Sequence, residues 1–476
     1  MRKFDTIVQE LKYKTLKEVV KLARQDKLNE AYYSIPREVV KEGDETNRCC
    51  IYKARAVVEE RVRMAMGGDK DNPNIIEALN IACDSCREQR FIVSELCRGC
   101  VSHKCMESCR FGAITFDKNK KAVIDPSKCK ECGACRKACP YQAIIEHVCP
   151  CMVACKVNAI SIDENKKAKI DINKCVMCGA CVYNCPFGAM VDKSFVVDVV
   201  NLIKESDNNK NYKTYAMIAP AIVSQFKYAK IEQIVTGIKK IGFHDVVEVA
   251  FGADVVLLKE AQELKEKGRL TTSCCPSFVM TIEKHFPNVK QFVSHNVSPM
   301  IETARFIKKT DPTARVVFVG PCIAKKQEAR REEFLGAVDA VITFEELQAL
   351  LDGYEVDVAT LEETALDNGS YYGRIFAKSS GLTEGAATLL GKEGFTVKAD
   401  VLNGLEECRV GLIKFDRKLT DANFLEGMAC VGGCINGAGV LHHGEKNALD
   451  VNNYGKSAKE TDPQASMDVY NLFNNK

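Results

Sequence analysis

The chain has 476 residues, 25 of them cysteine, and is 46% hydrophobic and 28% charged, with a formal charge of +3. That balance describes a globular chain of roughly two or three domains and gives no basis for nucleic-acid binding. No apolar run reaches membrane-span length, and MRKFDTIVQELKYKTLKEVV lacks the apolar core of a signal peptide, so a cytoplasmic location without a membrane span is expected.

The cytoplasm is reducing, so this many cysteines point to metal binding and away from a disulfide framework. The stretch FDTIVQELKYKTLKEVVKLA has the apolar spacing of an amphipathic helix, and residues 1–95 are expected to form a helical segment. Within it, Cys49 and Cys50 are expected to be buried free thiols. Cys83 and Cys86, in ACDSCREQR, stand at a ligand-like spacing.

An internal repeat follows. CRFGAITFDKNKKAVIDPSKCKECGACRKACPYQAI, from Cys109, recurs from Cys155 as CKVNAISIDENKKAKIDINKCVMCGACVYNCPFGAM, a period of 46 residues. Both copies hold C-x2-C-x2-C-x3-C-P, the ferredoxin run in which three cysteines serve one 4Fe–4S cluster and the fourth serves its neighbour. Zinc also takes C-x2-C pairs, but two complete copies of the longer run favour iron–sulfur. One cluster is expected on Cys109, Cys129, Cys132 and Cys135, and another on Cys97, Cys100, Cys105 and Cys139. A third is expected on Cys155, Cys175, Cys178 and Cys181.

Cys185 then needs partners. Ala143 and Glu146 occupy the repeat positions of Cys97 and Cys100, so Cys149, Cys151 and Cys185 lack a fourth ligand. Cys83, Cys86 and His147 are the candidates, with a cysteine of the upstream pair preferred. The count is about four accessory clusters, with a Lys/Arg excess between Cys97 and Cys185 to offset about −2 on each cubane. The expected boundaries are 96–147 for a ferredoxin-like domain with two clusters, 148–193 for a second ferredoxin-like domain and 194–476 for a further domain.

Beyond Thr214, strand-like runs (YAMIAPAIV, DVVEVAFG, ARVVFVG) alternate with helical ones (KIEQIVTGIKKIG, ADVVLLKEAQELKEKG), which reads as α/β with mainly parallel sheets. Ligands in such folds sit at the carboxyl ends of strands. TTSCCPSFV opens a helix there, and VVFVGPCIAKKQEA follows a strand. In EGMACVGGCINGAG, Cys430 and Cys434 at i, i+4 are expected to share a helix face. Cys275, Cys322, Cys430 and Cys434 thus come from three distant segments to make one cluster site. Adjacent thiols point apart and cannot easily serve one metal, so Cys274 and Cys275 have different tasks.

TSCCPS, PCIAKKQE and EGMACVGGC, with SSGLTEGAATLL from Ser379, resemble the signature motifs of FeFe-hydrogenases. RCCIYKARAVVEERV resembles the branch often called group B. The resemblance implies a two-lobed α/β catalytic domain with mainly parallel sheets, preceded by α+β double-ferredoxin-like domains. It implies the reaction 2H⁺ + 2e⁻ ⇌ H₂ at an H-cluster: a 4Fe–4S cubane joined to a two-iron unit bearing CO, CN and an azadithiolate bridge. Cys275, Cys322, Cys430 and Cys434 would hold the cubane, and Cys434 would bridge to the two irons. Lys325 and Met428 would face the two-iron unit, with Pro321 and Ser273 contributing nearby backbone or hydroxyl contacts. Cys274 would pass protons along Ser294, Glu260 and Glu263, a thiol's ordinary pKa of about 8.5 suiting it to exchange near neutrality. Glu328 falls in the same motif. Ferredoxin or a similar small electron carrier, and hydrogenase maturation proteins, are the implied partners.

The chain departs from the family at Gly320, where a methionine normally lies over the two-iron unit, so a more open pocket is expected. Phe278 stands in place of a tryptophan, and the tail beyond Gly439, with His442 and His443, is unmatched. The same fold also serves non-catalytic iron–sulfur relatives, in cluster assembly or hydrogen sensing. The full set of relay residues favours catalysis.

Overall fold

The computed structural model describes residues 4–474 except 45, 47, 85, 87 and 88. Near its start, the helix Ile7–Arg24 begins where the Thr6 side chain accepts a hydrogen bond from the Gln9 N–H at 3.2 Å, satisfying one of the otherwise unpaired donors of the first turn. Its apolar face, Leu16, Val19, Val20 and Ala23, is buried. It packs on the helix Phe344–Gly353, far along the chain, and beside the helix Ile51–Ala65. Cys49 and Cys50, expected to be buried, are exposed. They immediately precede Ile51–Ala65, whose buried residues begin only at Val57.

Eight three-residue strands follow: β1 (Ile76–Ala78), β2 (Phe91–Val93), β3 (Ile114–Phe116), β4 (Ala122–Ile124), β5 (Ile144–Glu146), β6 (Ile160–Ile162), β7 (Ala168–Ile170) and β8 (Met190–Asp192). β2 pairs antiparallel with β5, and β3 with β4; β1 pairs with β8, and β6 with β7. These are two copies of one small α+β unit. The β1–β8 ladder, with Ile76 opposite Asp192, crosses the boundaries expected at residues 95 and 147. Strands this short bury too little to hold a fold alone.

The rest of the chain carries two parallel sheets. β9 (Thr214–Ile218), β10 (Asp245–Glu248), β12 (Arg315–Gly320) and β13 (Ala340–Thr343) lie in the order β10-β9-β12-β13. β11 (Leu270–Thr271), β14 (Ala399–Asn403) and β15 (Phe424–Met428) lie in the order β11-β15-β14. The strand RVVFVG is buried along all but its first residue, as expected for a parallel strand covered on both faces. The DVVEVAFG run divides: β10 ends at Glu248, and Val249 starts the helix Val249–Lys267.

A buried ionic network joins the three regions. Lys326, fully buried, reaches Asp192 at the end of β8 and Glu346, each at 2.8 Å. Lys12 bridges the other oxygen of Asp192 and Glu345, each at 2.7 Å. The unmatched His442 and His443 also have structural roles: both face Asp5, and Tyr183 of the iron–sulfur arm packs on the His443 ring.

Candidate active site and cluster sites

Three strand ends deliver the four thiols expected to form one site. β11 leads through Cys274 and Cys275 into the helix Pro276–His285, where Pro276 sits in the first turn and needs no hydrogen-bond donor. β12 leads to Cys322, and β15 leads to Cys430 and Cys434. The expected α-helix across Cys430 and Cys434 is not formed. Gly432 and Gly433 have φ of 87° and 91°, and only a short 3₁₀ turn, Cys434–Asn436, follows. A Cβ on Gly433 would lie 2.5 Å from the Ser379 nitrogen, so this backbone runs directly against its neighbour.

The thiols share one electrostatic environment. Burial, then the charges of Cys322, Cys275 and Cys434, push Cys430 well above its ordinary pKa. Cys434 is raised by burial, then by Cys322 and Cys275. Among the described residues, no three His, Cys, Asp or Glu side chains converge as ligands of a single ion. The donor set fits a polynuclear iron–sulfur group, with each thiolate on its own iron.

Beside these thiols lies a mostly apolar cavity. Cys434, Cys322, Cys274, Lys325, Met428 and Pro321 all line it. Cys434 and Cys322 therefore face both the other thiols and the cavity. Lys325 donates to the Cys274 carbonyl at 3.2 Å and to Glu328 Oε2 at 2.7 Å. Burial opposes its charge, but Glu328 and the nearby Cys322 and Cys434 outweigh burial and keep it protonated.

Gly320 is outside the cavity lining. A Cβ there would meet the Phe318 ring at 2.5 Å, and Phe318 lines the cavity. The volume expected to open at Gly320 is thus occupied by this ring. Phe318 was not singled out in the sequence, because its alternation in β12 marks it only as a core residue.

From the cavity, polar side chains run outward. Burial, then the charge of the buried Glu260, push Cys274 well above its ordinary pKa, so it is held as a thiol and, contrary to expectation, does not exchange near neutrality. Glu260 Oε1 accepts from the Ser273 N–H at 3.1 Å and the Ser273 hydroxyl at 3.0 Å, while its buried Oε2 has no hydrogen-bond partner among the described residues. Ser273, expected beside the cofactor, instead holds this carboxyl. Burial raises the Glu260 pKa to about 7, against the pull of Ser273 and Ser294. Ser294 donates to Glu263 Oε2 at 2.7 Å. Burial also pushes Glu263 up, but hydrogen bonds from Lys267, Ser294 and the His295 backbone outweigh it and leave Glu263 below its ordinary value. Lys267 lies 2.6 Å from Glu263, at the surface beside the exposed His295. Asn296 donates to both Glu263 and Ser294, at 2.9 and 3.1 Å. No sequence signal identified it. The spacing of Glu260 and Glu263 on one helix was readable, and the contact to a loop 30 residues on was not.

The cysteine groups of the arm are likewise drawn together. Cys105 feels Cys139 and Cys100; Cys135 feels Cys129 and Cys109; Cys181 feels Cys178, Cys175 and Cys155, each effect following that of burial. Cys178 also acts on Cys430, bringing the arm next to the four-thiol site. Between them Gly179 packs so closely that a Cβ would lie 2.5 Å from the Ala438 Cβ. Backbone N–H groups point at cluster-type thiols throughout, as from Ala113 to Cys109, Ala159 to Cys155 and Ala189 to Cys185.

The family model described as the iron-only hydrogenase large subunit, C-terminal domain, matches residues 212–438, and the model for a 4Fe–4S dicluster domain matches residues 96–143 and 149–189. Residues 212–438 thus match an iron-only hydrogenase domain, and the two stretches before them a 4Fe–4S dicluster arm. The chain's relatives are of two kinds. Iron hydrogenase 1 of Clostridium pasteurianum is 30% identical, over 46% of this chain and 47% of that one. The cytosolic Fe-S cluster assembly factor NAR1 of Kluyveromyces lactis is 28% identical, over 43% and 59%. A solved FeFe-hydrogenase, HydA1 of Chlamydomonas reinhardtii, matches 57% of this chain and 93% of its own at 19% identity and a TM-score of 0.47. The chain spans about half the length of the first curated relatives it matches. No helix among the described residues is long and apolar enough to cross a membrane.

Proposed function

We propose that this hydrogenase-like chain interconverts protons, electrons and dihydrogen. The observation that carries the reading is the line of Cys274, Glu260, Ser294 and Glu263 from the cavity to the surface. Cys275, Cys322, Cys430 and Cys434 would hold the cubane of an H-cluster, with Cys434 as the bridging sulfur. When bound, the two-iron unit supplies the chemistry that makes and breaks the H–H bond; the protein provides ligands, a dry cavity and delivery of charge. Cys274 holds the proton nearest the cavity. Glu260, with a pKa of about 7, accepts or releases one near neutral pH. Ser294 acts on Glu260 and donates to Glu263, which stays ionised and meets solvent beside Lys267. Lys325 fixes a positive charge on the cavity wall, and its contact with Glu328 orients it. Electrons would pass through about four accessory 4Fe–4S clusters to or from a ferredoxin-like carrier. Maturation proteins would supply the two-iron unit, and the cytoplasm is the expected compartment.

The similarity to the Kluyveromyces lactis assembly factor favours a second reading, an iron–sulfur protein without turnover. An infrared spectrum of protein matured anaerobically with a hydrogenase maturation system separates the two. Bands in the CO and CN stretching regions that shift under hydrogen are expected. Silence there, with the cubane iron present, would leave the assembly-type reading.

A further inference from the structure

The second ferredoxin-like unit is split in the chain, and its missing half lies upstream of the first unit. In the first unit, β2 pairs with β5, and Cys97 follows, its sulfur accepting from the Ala122 N–H at 3.5 Å. One repeat later Ala168 occupies the position of Ala122, and its N–H points at Cys83 at 3.4 Å. β1, just before Cys83, pairs with β8 as β2 pairs with β5. Cys83 is therefore the counterpart of Cys97, and Cys86 of Cys100. The chain leaves the second unit after this pair, builds the first unit whole, and returns at Cys149. Arg48 ties the break, donating to the Ala82 carbonyl at 3.4 Å and the Phe187 carbonyl at 2.6 Å.

This counterpart set makes Cys149 a surplus. Cys151 corresponds to Cys105 and Cys185 to Cys139, so four ligands are complete without it. The residue matching Cys149 in the first unit is His103, whose ring stacks on Phe116 at 3.9 Å. Ile162 replaces Phe116 in the second unit and gives no such platform. Cys149 is instead buried, and its thiol acts on Cys86. One cavity is lined by all five thiols, Cys83, Cys86, Cys149, Cys151 and Cys185. His147 is not among its lining residues; its backbone N–H extends the β2–β5 ladder to the Arg90 carbonyl. Asp84, at the rim, is engaged by Lys53 and Arg48.

We propose that Cys83, Cys151 and Cys185 are fixed ligands of the outer cluster of the second unit, and that Cys86 and Cys149 share its fourth corner. Cys83, Cys151 and Cys185 come from three separate segments and each has a cysteine counterpart in the first unit, whereas Cys149 has none and lines the same cavity as Cys86, on which it acts. Exchange at this corner forms one iron–sulfur bond as the other breaks. The proton of the incoming thiol passes to the departing one, and no electron moves. This inference concerns an accessory site and does not depend on hydrogen turnover.

The test reconstitutes the full-length chain with iron and sulfide under anaerobic reduction, then reads iron, sulfide and the EPR spectrum of the reduced protein. Cys86→Ala and Cys149→Ala are each expected to keep the full complement, with EPR spectra that differ from one another. The double variant is expected to lose about four irons, as are Cys83→Ala and Cys151→Ala alone. Retention of the remaining clusters reports that each variant is folded, and serine replacements repeat the set if an alanine variant is insoluble. Loss in Cys86→Ala alone, loss in Cys149→Ala alone, or full retention in the double variant would each overturn the shared corner.

Discussion

The iron–sulfur arm and the hydrogenase-like domain solve the same problem, gathering four thiolates, in opposite ways. In the arm, three thiols lie within seven residues, as at Cys129, Cys132 and Cys135, and the strands are three residues long. In the domain, four thiols arrive from three strand ends spread over 160 residues, and two parallel sheets fix their positions. An arm site can form around its metal; the domain site exists because the sheets do. The difference predicts that metal binding stabilises the arm more, while the domain tolerates loss of its cluster with its fold intact.

Substitution at the adjacent cysteines gives the largest contrast within the domain. Cys275→Ala is expected to lose the domain cluster, about four irons, and all hydrogen turnover. Cys274→Ala is expected to keep that iron and lose turnover by roughly 10²–10⁴-fold, the range of a general acid–base group. Iron analysis beside a hydrogen-evolution assay measures both; equal iron loss in the two variants would sink the division of tasks. Next in size is the join between regions. Lys326→Met strands Asp192 and Glu346 in the interior, and about 3–5 kcal/mol of stability is expected to go, measured by denaturant unfolding.

Glu260 gives a pH-dependent effect. Its pKa of about 7 in the folded chain lies above the ordinary 4.3 or so of an exposed glutamate, so folding takes up a proton between those values. The stability it contributes is complete below the ordinary value and is lost as pH rises through about 7. Glu260→Gln removes that loss. Its melting temperature relative to the parent is expected to rise from pH 5 to pH 8, while turnover falls and its inflection near neutrality disappears. A difference independent of pH would place the buried proton elsewhere. The smallest effect is expected at Gly320→Ala, which presses on the Phe318 ring. A destabilisation of about 1–3 kcal/mol and displaced infrared bands of the matured protein are the expected readouts.

What the sequence disclosed follows the same divide. The ferredoxin runs announce their ligands because spacing along the chain is spacing in space. The parallel sheets and the helix carrying Glu260 and Glu263 followed from periodicity, and the four distant thiols from motif resemblance. The contacts between remote segments were not readable. Lys326 carried no signal in the sequence, because its partners Asp192 and Glu346 come from remote segments. The Ser273 hydroxyl lies between Glu260 and the Asn296 carbonyl, a placement that its motif did not disclose. The α-helix expected through Cys430 and Cys434 gave way to two left-handed glycines. The membership of β1 and Cys83 in the second unit was hidden because a whole folded unit intervenes, and no local period spans such an insertion.

Gly179 has a consequence of another kind. Its bare α-carbon lets the Cys178 segment settle directly against the Ala438 and Ile323 side chains of the hydrogenase-like domain. Electron tunnelling weakens exponentially with the gap to be crossed. On the proposed reading, then, the absence of one methyl group sets the rate of a wire, because even alanine here would wedge the two regions apart without touching a single ligand.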